Sequence, residues 1–272
     1  MPRLPLSAGA VRKLLREIDS SGSGEHVLAV GGAAELAPVL RQQFLRGRAE
    51  PGAVRLGAPE GAGVYVHVLA AQPADEDVAV LRRARRARVP VVVVAVGFAQ
   101  HGTIPYVLAT DVVPVGAGEA FPLEAIVHTI AAELGEKGAP LAARLPLLRE
   151  AVCGQLVASF SRKNGVLAAA IWIPGADLPV LVLNQLRLVL RLAQAYGADD
   201  ARDLVPELAA TLGAGFGLRA LAREALDLAP GAGWALKGAV AFAGTRALGE
   251  AARLRFSLAA MPPRAGASLG AP

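Results

Sequence analysis

The first place to look for chemistry is the turn after the first apolar run, Val30-Gly31-Gly32-Ala33-Ala34-Glu35-Leu36-Ala37. A phosphate-binding loop needs glycines that let backbone N–H groups approach the anion. It also needs a lysine for the outer phosphates and a hydroxyl residue for magnesium. This turn has the glycines but no Lys, Ser or Thr, and Glu35 puts a negative charge where phosphate would lie. Gly31-Gly32 therefore reads as a tight strand-to-helix turn; the alternative is that the helix N-terminus after it still binds an anion. His26, His67, His101 and His128 share no metal-ligand spacing and are expected to be structural or surface residues. The single cysteine, Cys153, excludes an intramolecular disulfide and a multi-cysteine metal site, and its apolar setting predicts a buried small hydrophobe. No Gly-x-Ser-x-Gly or paired-acid constellation is present, so no catalytic residue, metal or cofactor is expected. Arg82, Arg83, Arg85, Arg86 and Arg88 fall on one predicted helix, with Arg82, Arg85 and Arg86 near one another. They form either a solvated face paired in part with Glu76 and other acids, or a basic face for anionic lipid or an acidic partner.

The elements that would position these groups alternate in the first half. Residues 26–30, 64–70, 91–96 and 111–115 read as strands, and 34–46, 75–88 and 122–134 as helices. Every position of 91–96 is apolar, as in a strand buried on both faces of a parallel sheet. Asp75-Glu76-Asp77 is a helix opening, because acids favour the first turn. The alternation predicts a doubly wound parallel sheet. From residue 141 onward the pattern is all-helical, over 141–160, 166–173, 178–196, 201–212, 218–228 and 234–258. The expected organisation is an α/β domain at 1–138, an apolar helical domain at 139–260 and a disordered tail at 261–272.

Composition bounds the partners. Hydrophobic residues make up 54% and charged residues 19%, against about a quarter charged in ordinary soluble proteins. Mean hydropathy is +0.44, so either the core is large for the surface or lipid or a partner covers apolar surface. A net charge of +5 permits attraction to anionic lipid or nucleic acid. Aromatic residues at 4% leave little for stacking bases, so nucleic acid is not the expected partner. Residues 8–20 read as a polar helix with no secretory pattern, which predicts a cytoplasmic-side chain.

In its order of elements the first half resembles the small GTPase-like domains of Era-type bacterial proteins. Residues 64–96 resemble the strand-helix-strand that leads to guanine recognition, and 111–134 the following strand, loop and final helix. Where that family carries Asn-Lys-x-Asp, this chain has Gly97-Phe98-Ala99-Gln100, and 47–63 is too short for the two strands and mobile switch that hold magnesium. The implied fold is a degenerate P-loop GTPase-like domain in which GTP hydrolysis is not expected.

The helical half carries two spaced motifs. Ile173-Pro174-Gly175-Ala176-Asp177-Leu178-Pro179 is followed by Asn184, Gln185, Arg187, Arg191, Tyr196 and Gly197. Pro230-Gly231-Ala232-Gly233-Trp234-Ala235-Leu236-Lys237-Gly238 is followed by Gly244, Thr245 and Gly249. Together they are similar to the bacterial domain of unknown function that follows Era-like GTPase domains, including the inner-membrane YcjF type. That resemblance implies association with GTPase domains and membranes and no established reaction. Each motif residue also has a physical role without catalysis: Asp177 as a helix N-cap, Gly197 as a C′ glycine, Gln185 bonding across to another helix, and Lys237 snorkelling at the surface. Ala241, Thr245 and Gly249 repeat every four residues, which lets another helix approach closely. Neither 166–183 nor 226–248 is an uninterrupted apolar span, since Pro174, Gly175, Asp177 and Pro179 break the first and Pro230, Gly231, Gly233 and Lys237 the second. The expected function is a non-catalytic adaptor with a membrane-associated or self-associating helical module. The alternatives are an integral membrane component with inserted hairpins, or an enzyme with a site between the domains built from Asp177, Gln185, Arg187 and Lys237.

Overall fold

Five short segments align side by side, and the inner three bury apolar residues on both faces. A computed structural model of the chain describes residues 9, 13, 14, 16, 26–46, 48–97, 103–170, 178–198 and 233–260. The strands are β1 (Leu28–Gly32), β2 (Val54–Leu56), β3 (Val64–Leu69), β4 (Val91–Val96) and β5 (Val112–Val115). They form one sheet in the order β2-β1-β3-β4-β5, with every pairing parallel. β3 is buried at every position, His67 included, and β4 is apolar throughout, as strands covered on both faces are.

Helices cover both faces. α1 (Leu36–Phe44) buries Ala37, Leu40 and Phe44, and α3 (Leu123–Leu134) buries Ile126 and Ile130, in one cluster with Val30, Val66 and Val94. α2 (Asp75–Arg86) lies on the opposite face, where Ala84 meets Ala29 and Tyr65, and Leu81 meets Leu69 and Val93. The sequence expectation of an α/β fold followed by helices holds.

β2 escapes sequence reading because it spans only Val54–Leu56 between Gly52 and Gly57. Its return to β3 has no helix. Residues 57–63 run back along β1, with Gly57 N–H donating to the Val30 carbonyl at 3.0 Å and Gly63 N–H to that of Val27 at 2.9 Å. Parallel strands ordinarily need a crossover of about a dozen residues; the shortness of β2 makes this one sufficient.

Beyond α3 the chain passes through Gly135–Gly138 into α4 (Ala139–Arg144), α5 (Arg149–Ala170), α6 (Leu178–Ala195) and α7 (Gly233–Ala259). Buried residues of these helices, including Cys153, Phe160 and Val189, belong to the same continuous cluster as the sheet. Cys153 is fully buried, as its setting predicted, and burial pushes its thiol up to about 12. Sequence reading split α5 in two near Gly165, but the helix is continuous. Gly165 is kept for packing: a Cβ there would lie 3.2 Å from Phe242 Cβ and 3.3 Å from the Gly238 carbonyl.

Among the described residues no helix is long and apolar enough to cross a membrane. The expected helices at 201–212 and 218–228 and the tail at 261–272 lie outside the described residues, as do Pro174, Gly175 and Asp177. Of the expected helix at 8–20 only isolated positions are described.

Candidate functional site

In a sheet of this strand order a ligand is expected beyond the carboxyl ends of the strands, near the switch point between β1 and β3. A cleft of about 380 Å3 lies there, lined among others by Gly31, Gly32, Leu56, Tyr65, Val80 and Arg83. Its floor is the β1–α1 turn, and the turn is tight. Gly32 has φ +97°, and the Ala33 N–H donates to the Val68 carbonyl at 2.8 Å. The Ala33 carbonyl then accepts from Leu36 and Ala37 N–H groups at 3.1 and 2.9 Å, which starts α1. Glu35 is exposed at the head of the helix.

Over Gly31 sits the phenol of Tyr65, placed so that a Cβ on Gly31 would overlap its hydroxyl. Tyr65 is the first member of a buried chain. Its hydroxyl is 3.0 Å from His67 Nδ1, and His67 Nε2 is 2.9 Å from Asp77 Oδ1. Asp77 Oδ2 in turn accepts the Ala74 N–H at 2.9 Å, capping α2. An ionised carboxylate only accepts, so His67 donates from Nε2, and Nδ1 accepts from the Tyr65 hydroxyl.

The electrostatics make this chain a brace. Burial pushes the Tyr65 phenol up to about 12, against the opposing pull of Arg83. Burial also lowers His67, although its bond to Asp77 works the other way. Phenol and imidazole therefore both stay neutral near pH 7, and the phenol proton is committed inward to His67. The arrangement ties β3 to the first turn of α2 and fills the space above the turn.

A pH effect follows. Folded His67 takes up a proton less readily than unfolded His67, so below about pH 6.5 the unfolded chain holds the extra proton. Its contribution to stability is complete above that pH and is lost as pH falls, with a slope of up to about 1.4 kcal/mol per pH unit. Urea midpoints taken from about pH 8 down to about pH 5 should fall in wild type and fall less in His67→Gln. Equal slopes would clear His67 of the effect.

Sequence reading treated His67 as a lone histidine. The signal it lacked was three-dimensional: Tyr65 and His67 share a strand face, and the acidic helix opening delivers Asp77 to that face.

Among the described motif residues of the helical half, Gln185, Tyr196, Gly197, Gly238, Thr245 and Gly249 serve as packing or capping groups. Gln185 Nε2 donates across to Thr245 Oγ1 at 3.2 Å, as its position on the apolar face of α6 suggested. Asn164 Nδ2 donates to the same hydroxyl at 2.9 Å, and Asn184 Nδ2 to Asn164 Oδ1 at 2.9 Å. These polar groups link α5, α6 and α7 through a core where Asn164 and Thr245 are fully buried. Gly238 and Gly249 let α7 approach: a Cβ on Gly238 would lie 3.0 Å from the Gly165 carbonyl, and one on Gly249 2.8 Å from Val157 Cγ2. Gly197, at φ +78°, ends α6 as a C′ glycine, with its N–H on the Gln194 carbonyl and that of Ala198 on Ala193. Tyr196 packs on Phe256 with ring centroids 6.2 Å apart, beneath the Arg149 guanidinium. Trp234 is exposed, while Arg187 and Lys237 are half-buried. Gln185 is thus engaged inside the bundle, and Asp177, the remaining member of the expected interdomain cluster, lies outside the described residues.

Arg82, Arg83, Arg85 and Arg86 on α2, and Arg88 just past its end, are all exposed. Pairing with Glu76 does not occur among the described residues, because Glu76 is not one turn from any of them. Arg83 instead faces Glu60 at 3.7 Å. Also among the described residues, no three His, Cys, Asp or Glu side chains converge as metal ligands. No protein-family model, curated protein or solved structure matches this chain.

Proposed function

We propose that the chain is a non-catalytic GTPase-like adaptor, related to the Era-type domains and to the YcjF-type module that follows them. Its nucleotide loop has closed into a structural turn, and its helical module associates with a membrane surface or a second copy of the chain. The observation that carries this is the β1–α1 turn. The Ala33 N–H that would cradle phosphate is spent on Val68, Glu35 heads the helix, and Tyr65 covers Gly31. The helix-free crossover at 57–63 likewise leaves no switch segment to follow a γ-phosphate.

The association half is supported by α7. Gly244, Ala247, Ala251, Leu254 and Leu258 alternate in steps of three and four and are all exposed, Leu254 at 62% and Leu258 at 60%. That spacing is the seam of a helix pair. Light scattering should find a dimer that Leu254→Asp and Leu258→Asp dissociate; a monomer at all concentrations would leave the membrane surface as the associating partner. For the nucleotide half, the melting midpoint is expected not to move in millimolar GTP and magnesium, because a ligand bound to the folded state raises it by mass action. A rise of several degrees, reversed by removing magnesium, would contradict the proposal.

A further inference from the structure

We propose that the C-terminal half of α2, with the segment that packs beside it, docks on anionic lipid headgroups. This goes beyond the adaptor reading by assigning a membrane contact to the α/β part, and it does not depend on the loss of nucleotide binding.

Arg82, Arg83, Arg85, Arg86 and Arg88 project from the end of one helix, and all are exposed. Among the described residues no carboxylate pairs with Arg82, Arg85, Arg86 or Arg88, and the Arg83–Glu60 pair is long and about half exposed on both sides. Guanidinium groups match phosphate oxygens bidentately, so Arg82, Arg85, Arg86 and Arg88 at one helix end suit a layer of phosphate headgroups, while Arg83 turns toward Glu60 and the cleft.

Two strained backbones lie in this same surface. Arg88 at φ 56° and Tyr106 at φ 69° are the non-glycine residues with positive φ among those described. Arg88 is the C′ residue of α2: its N–H donates to the Arg85 carbonyl at 3.1 Å, and Val89 N–H to that of Ala84 at 3.0 Å. Glycine fits that position without strain, yet an exposed arginine holds it. Tyr106 is 43% exposed, and its ring stands 6.0 Å from the Arg85 guanidinium. Ile104 anchors its segment by packing with Leu81 of α2, while Leu108 is left 68% exposed. Strain concentrated in one exposed patch points to a use for it. Arginines beside an exposed tyrosine and leucine are the pattern of a surface that meets headgroups and dips an apolar tip below them.

The test is co-sedimentation of the full chain with phosphatidylcholine vesicles, with and without phosphatidylglycerol. Binding is expected to the anionic vesicles alone and to be lost in high salt. It should weaken about fivefold for each of Arg82, Arg85 and Arg86 replaced by glutamine. Arg88→Gly should weaken it while raising the melting midpoint, a pairing that a merely structural arginine would not give. Leu108→Asp should weaken binding and leave the fold intact. Equal binding to neutral vesicles, or full affinity after the arginine replacements, overturns the proposal. So does wild-type binding by Leu108→Asp, which would remove the segment beside α2 from the contact.

Discussion

Gly32→Val is expected to leave little folded protein. The residue ends β1 at φ +97°, where a β-branched side chain is strained by itself. Space is the larger problem. A Cβ there would overlap the Val68 carbonyl oxygen and lie 2.8 Å from the Val68 nitrogen. Those atoms belong to β3 in the middle of the sheet, and the same carbonyl accepts the Ala33 N–H that turns the chain into α1. The strand cannot yield without breaking its pairing on both sides. A cost of about 4 kcal/mol or more follows, a large share of the roughly 5–15 kcal/mol that stabilises a domain. Soluble yield and the urea midpoint check it; a midpoint within experimental scatter of wild type would show the turn to be looser than described. Gly31→Ala is a milder companion, since a phenol can move where a strand cannot.

Gly249→Leu should be nearly as damaging for a different reason. Gly249 faces Val157 of α5 and Leu188 of α6, with an added Cβ 2.8 Å from Val157 Cγ2 and 3.1 Å from Leu188 Cδ2. A leucine would wedge the three helices apart. One turn away, the Thr245 hydroxyl receives both Asn164 and Gln185, and separating the helices strands those buried donors. Overpacking and lost hydrogen bonds together cost about 3 kcal/mol. Gly249→Ala sets the scale: alanine carries the same Cβ contact with Val157 but gains about 1 kcal/mol of helix propensity and adds none of the leucine's three further carbons, so it should cost much less. Denaturant midpoints of the two variants should therefore differ widely, and similar midpoints would count against close packing at this site.

These two sites show unequal legibility. The four-residue repeat ending at Gly249, the polar interruption at Gln185 and the stop at Gly197 were readable because each is a local rule of one helix. The buried run of β4 and the acidic start of α2 were readable for the same reason. β2 was not, since three residues carry no periodicity. Gly165 suggested a break because its reason for being glycine sits on α7. Asn164 and Asn184 gave no sign of their bond, and Tyr65, His67 and Asp77 belong together only once β3 and α2 are stacked. Local pattern therefore revealed the elements, and the contacts between elements had to come from the fold.

The cleft is where that difference bears on function. Missing Lys and hydroxyl residues in the β1–α1 turn suggested lost nucleotide chemistry, but they left open an anion site on the helix N-terminus. The Ala33–Val68 hydrogen bond, Glu35 and the Tyr65 hydroxyl over Gly31 favour the closed turn. The most direct measurement is calorimetric titration of the purified full chain with GTP in the presence of magnesium. No saturable heat up to millimolar nucleotide is the expected result. Saturable binding near a micromolar dissociation constant, about 8 kcal/mol of binding free energy, with phosphate released on turnover, would contradict it.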